Sequence, residues 1–144
     1  MAVQRPQRGD YRHFQPLTTR WHDNDVYGHV NNVVYYGYFD SAVNAWLIEQ
    51  GLLDIHNDRV VGYVASSSCD YFAAVAFPQR LEVGMAVERL GNSSVRYVLG
   101  VFVEGEQEAR AAGRFVHVYV NRERGCAVPV PAGVRRRLEP LLLG

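Results

Sequence analysis

Beyond residue 60 the chain alternates apolar and polar positions with period two, as strands with one face in a core do. Leu81, Val83, Met85 and Val87 share one face, opposed by Glu82, Gly84, Ala86 and Glu88. Val95, Tyr97, Leu99, Val101 and Val103 form the next row, and in the last Phe115, His117 and Tyr119 oppose Val116, Val118 and Val120. A longer strand is predicted ahead of these over residues 60–73. Turn signals at Phe77-Pro-Gln, Gly91-Asn-Ser and Glu104-Gly-Glu separate the runs. The first half reads differently. A strand is predicted over residues 14–21, then an Asp-, Asn- and Gly-rich loop, then one long helix over about residues 32–50 with Gly51 as its stop. Val34, Tyr38, Ala42, Ala45 and Ile48 make one helical stripe, and Val33, Tyr36, Phe39 and Leu47 extend apolar character around most of the circumference. Such a helix is expected to be buried. Residues 131–142 suit a short closing helix, and residues 1–10 a loose arm.

These elements make one α+β domain over residues 1–144, an antiparallel sheet curving around a single buried helix. A lone curved sheet leaves its edges open, so pairing with a second copy is expected. With 48% hydrophobic residues in 144, the chain can build a real core. Its 15 basic and 15 acidic residues cancel, which removes any net field toward nucleic acid or an anionic membrane. Every basic side chain is Arg, so Schiff-base chemistry through a lysine is excluded. Cys69 and Cys126 are too few and too unpatterned for a disulfide framework or a zinc site. Residues 1–15 lack the apolar core of a signal peptide and no apolar run reaches spanning length, so a cytoplasmic setting is expected.

The chemistry concentrates in Arg20-Trp-His-Asp-Asn-Asp-Val-Tyr-Gly-His-Val-Asn-Asn32, which runs into the helix. Asn is a favoured N-cap, so the amides near Asn31 and Asn32 are expected to be electropositive. Asp25 lies just before that positive end. A carboxylate can activate or become a nucleophile while a helix terminus receives the charge developing on a carbonyl oxygen, which is the equipment of acyl transfer. Asp23 is read as orienting the loop. For His29 two roles stay open, a hydrogen bond to backbone or contact with substrate and Asp25. His22 is expected at the surface, and a metal site built from His22, Asp23, Asp25 and His29 has no supporting spacing. Asp40 sits mid-helix as either a buried perturbed carboxylate or part of an exposed stripe. Ser66, Ser67 and Ser68 form no nucleophile elbow and read as small strand residues that leave room for an acyl chain.

A strand, Asp-x-Asp-x-x-Gly-His-x-Asn-Asn, an apolar helix and antiparallel strands together resemble the hot-dog-fold acyl-CoA thioesterases of the 4-hydroxybenzoyl-CoA thioesterase type. The resemblance runs over residues 16–139 and takes in Asp70-Tyr-Phe-Ala-Ala, Phe77-Pro, Leu90-Gly-Asn-Ser-Ser and Val128-Pro-Val-Pro. It implies that Asp25 holds the catalytic position, with the helix amides near Asn32 polarising the thioester carbonyl. It implies no metal, no bound cofactor, and sites at the interfaces of homodimers or homotetramers, with an acyl-CoA threaded between subunits. Substrate-binding candidates are Tyr27, Gly28, Asn31, Ser66, Ser67, Arg89, Ser93 and Arg124, with Arg122 a further cation. Two positions depart from the pattern. Only Arg89 is cationic near Leu90-Gly91-Asn92, where the 4-hydroxybenzoyl enzyme has a cationic turn, and Asn32 replaces its aromatic at the helix start. Competing expectations are an enoyl-CoA hydratase using Asp25 and His29, a non-catalytic acyl-CoA-binding module, and action on acyl-carrier-protein thioesters.

Overall fold

The computed structural model describes residues 4–144, folded as one five-stranded antiparallel sheet with a helix packed on one face. In chain order come β1 (His13–Thr18), α1 (Val34–Glu49), β2 (Val60–Tyr71), β3 (Arg80–Leu90), β4 (Ser94–Val103), β5 (Ala111–Asn121) and α2 (Ala132–Leu138). The sheet order is β1-β3-β4-β5-β2. In the period-two rows Leu81, Val83, Met85, Val87, Val95, Tyr97, Leu99 and Val101 are buried and Val103 is half-buried; in the last row it is the Phe115, His117 and Tyr119 face that turns inward. They meet Tyr35, Phe39, Ala42, Val43, Trp46 and Leu47 of α1. A fully buried side chain such as Phe39 contributes roughly 1.5–3 kcal/mol through the water it sheds.

Four expectations need correction. The helix starts at Val34, not Asn32, because the Val33 amide is taken by the Asn31 side chain (3.0 Å). Within one chain α1 is buried on one face only, for Gly37, Asp40, Ser41 and Ile48 are exposed. β1 ends at Thr18 because Asp23 accepts the Arg20 amide (2.9 Å) and turns Trp21–Asp23 into a 3₁₀ segment. β2 ends at Tyr71 because the Phe72 and Ala73 amides both turn to the Arg110 carbonyl (2.9 and 3.0 Å).

The arm is tied down wherever it is described, while residues 1–3 lie outside the described part. The Arg8 amide bonds the Gln107 carbonyl (3.1 Å), and its guanidinium meets Glu82 (2.6 Å). Tyr11 fills a slot on the sheet face away from α1, over Gly84 and Gly100, which are paired across β3 and β4. A Cβ on either glycine would strike Tyr11, at 2.8 and 2.6 Å. At the other edge β2 is uncovered, and residues 63–68 are exposed throughout.

Candidate active site

The motif loop is shaped by its own carboxylates. Asp25 starts a tight turn in which the Gly28 amide bonds the Asp25 carbonyl (3.0 Å), with Gly28 at φ +80°. That conformation suits a residue without Cβ. One Asp25 oxygen, Oδ1, accepts the Tyr27 amide (2.9 Å), an Asx turn. The Asp25 amide in turn bonds the His29 carbonyl (2.9 Å). Asp23 does the anchoring. It is buried at 1% exposure and takes the Tyr38 hydroxyl (2.7 Å) and both the amide and Nε of Arg20. Burial works to raise its carboxyl, but the Tyr38 and Arg20 hydrogen bonds outweigh that and hold it below the usual carboxylate range. Asp23 therefore orients the loop against α1.

Asn31 closes the helix start. Its side chain takes the Val33 amide, and its carbonyl the Val34 amide (2.9 Å). Its own amide bonds the Asp23 carbonyl (2.9 Å). The Asn32 amide has no acceptor among the described residues. It lies at the positive end of α1, beside a groove of about 380 Å³. Asp25, His29 and Asn32 line that groove together, with Tyr35 and residues 71–74 completing it.

Tyr35 and Tyr71 meet edge to face at 5.0 Å, and the Tyr71 hydroxyl donates to the Asn32 carbonyl (2.9 Å). The segment after β2 is laced to the motif loop by further bonds, Val30 amide to Val75 carbonyl (2.8 Å) and Phe77 amide to the Asn24 side chain (3.0 Å). No role for Tyr71 follows from local spacing, although Asp70-Tyr-Phe-Ala-Ala marks the segment it belongs to.

The other candidates are scattered. Tyr27 and Gly28 stand exposed at the loop tip, and Ser66 and Ser67 lie on the open edge of β2. Arg89, Ser93 and Arg124 lie at the end of the sheet away from the motif. There Leu90 pairs with Val95 and Asn121 with Val60, whereas Thr18 pairs with Arg80 at the motif end. Arg122 is committed to the Ile55 and Asp58 carbonyls (2.9 and 3.2 Å). His22 is exposed, and so is Asp40, which is hydrogen-bonded by Asn44. Cys69 is half-buried, and burial pushes its thiol up to about 11, against a nucleophilic role near neutrality. Among the described residues no three His, Cys, Asp or Glu converge as metal ligands, and no helix is long and apolar enough to cross a membrane.

The chain is similar to known proteins over most of its length. The uncharacterised YsmA protein of Bacillus subtilis (strain 168) is 30% identical over 116 residues, 80% of this chain and 77% of that protein. The crystal structure of the PA5185 protein from Pseudomonas aeruginosa strain PAO1 is 61% identical, with a TM-score of 0.94 over 96% of this chain and 97% of the other. The PA2801 protein, a thioesterase candidate from Pseudomonas aeruginosa, is 28% identical, with a TM-score of 0.80 over 88% of this chain and 98% of the other. The profile of the thioesterase-like superfamily matches residues 19–138, and the chain belongs to that family.

Proposed function

We propose that the protein hydrolyses an acyl-CoA thioester to the free acid and coenzyme A, with Asp25 as the reacting carboxylate. One observation carries this reading: Asp25 and Asn32, whose amide just ahead of α1 has no acceptor among the described residues, line the same groove. Asp25 Oδ1 is held by the Tyr27 amide, which leaves the second oxygen for chemistry. That oxygen either takes a proton from water as the water attacks the carbonyl carbon, or attacks the carbon itself to give a mixed anhydride that water then opens. In both routes the Asn32 amide receives the oxyanion, and its collapse expels the coenzyme A thiolate, which takes up a proton. His29, on the same groove, positions Asp25 or the carbonyl. No cofactor enters either route.

A homodimer completes the site. Residues 63–68 of β2 carry no charge and stay exposed, an open template for a second copy. Antiparallel pairing of β2 with itself near Ala65 and Ser66 would lay the partner's Val60 beside this chain's Tyr71. It would bring the partner's Arg124, which follows β5, toward the groove. Arg89 is less well placed, since β4 and β5 separate its strand from the β2 edge, each strand adding about 4.8 Å. A homotetramer would pair two such dimers.

The deciding experiment is a thiol-release screen of the purified protein across short, medium, long and aromatic acyl-CoA substrates and acyl-carrier-protein thioesters. Turnover of at least one acyl-CoA is expected. The presence of Asp25 and His29 on one groove favours enoyl-CoA hydration as the competing reading, and loss of enoyl absorbance without thiol release would establish that instead.

A further inference from the structure

The peptide group joining Asn32 to Val33 is gripped at both poles. Its N–H is held by the Asn31 side chain (3.0 Å) and its carbonyl by the Tyr71 hydroxyl (2.9 Å), from a residue 39 positions away in sequence. The neighbouring peptide group carries the unpaired Asn32 N–H. Its direction depends on the Asn32 torsions, which the grip restrains. Tyr71 is itself held firmly. Its ring abuts the buried Tyr35 edge to face at 89°. Directly after it, Phe72 and Ala73 donate to the Arg110 carbonyl, and the Arg110 guanidinium donates to the Ala74 carbonyl (2.7 Å) while paired with Glu106. The wall of the groove is therefore braced from the segment leading into β5.

We propose that Tyr71 is a positioning residue: through its hydroxyl it fixes the start of α1 so that the Asn32 amide points into the groove, where it receives the oxyanion. This rests on the thioester reading above. A preorganised donor contributes to the transition state because it needs no reorientation during reaction. Water on the Asn32 carbonyl in place of the phenol would leave that peptide group free to tilt. Burial, then the neighbouring Cys69 and Tyr36, push the phenol up, so it remains a donor throughout the neutral range.

Tyr71→Phe tests this, because it removes one oxygen and keeps the ring against Tyr35. With an acyl-CoA that wild type turns over, kcat should fall about tenfold while KM stays within about twofold, since the amide acts on the transition state more than on bound substrate. Amide hydrogen exchange followed by NMR should show the Val33 N–H exchanging several-fold faster in the variant, with an unchanged melting midpoint. Support requires both effects. An unchanged kcat, a fall in kcat without faster exchange, or a rise in KM alone would overturn the assignment. A wild type that releases no thiol defeats the thioester reading, and the exchange measurement then decides by itself whether Tyr71 holds the start of the helix.

Discussion

Asp25 and Asp23 stand two residues apart and divide the work by environment. Asp23 is dry and saturated with donors, whereas Asp25 is half-buried with one oxygen tied to its own loop. Asp25→Asn should therefore leave the melting midpoint nearly unchanged while kcat for thiol release falls by roughly 10²–10⁴, the range of general base catalysis. A variant with near wild-type turnover would move the chemistry to His29. Arg124 and Arg89 offer a second contrast. In the proposed dimer the partner's Arg124 guanidinium should serve the phosphates of coenzyme A by uniform binding. Arg124→Ala is expected to raise KM several-fold with kcat intact and to blunt the salt dependence of KM, and Arg89→Ala to do less. Steady-state kinetics at two ionic strengths would decide, and equal behaviour of the two variants would refute the β2-to-β2 geometry.

At the scale of elements, periodicity made β3, β4 and β5 legible, because a side-chain period of two leaves each strand one way to face the core. The motif loop was legible for a chemical reason, the clustering of Asn and Asp, which placed the start of the helix to within two residues. Three things were not. Tyr71 reaches Asn32 only after the chain has turned back on itself. The arm docks because Gly84 and Gly100 face each other across two strands, a pairing no local window contains. Arg89 lies far from the groove because it stands at the end of β3 away from the motif, an outcome of tertiary pairing to which the period is blind.

His117 on β5 puts an imidazole in the core. It is 1% exposed, its Nδ1 has no partner among the described residues, and burial lowers its pKa from 6.5 to about 4. The unfolded chain takes up that proton near pH 6.5 and the folded one near 4, so the folded state is favoured most above 6.5 and loses ground as pH falls toward 4. The integrated loss is on the order of 3 kcal/mol. Urea denaturation across this window should show the slope, and His117→Leu should flatten it. A slope identical in both proteins would place its origin elsewhere.

For the whole molecule, the dimer proposed on the uncovered β2 edge, or two such dimers as a tetramer, predicts that light scattering on the purified protein will find at least two chains. Ser66→Lys would bring two ammonium groups together near the two-fold axis, so a monomer with little thioesterase activity is expected. An active monomer, from either protein, would overturn the shared site. The strand order has a consequence for how the chain comes off the ribosome. β2 is made early, but its partner within the chain is β5, and all of β3 and β4 must be synthesised before Ala111 arrives opposite Tyr71. During that interval both borders of β2 are open, one awaiting β5 and the other uncovered in the folded chain as well. Nascent chains on neighbouring ribosomes of one message carry the same exposed strand at the same moment, so a stalled or truncated product ending before β5 is the species most prone to cross-β association.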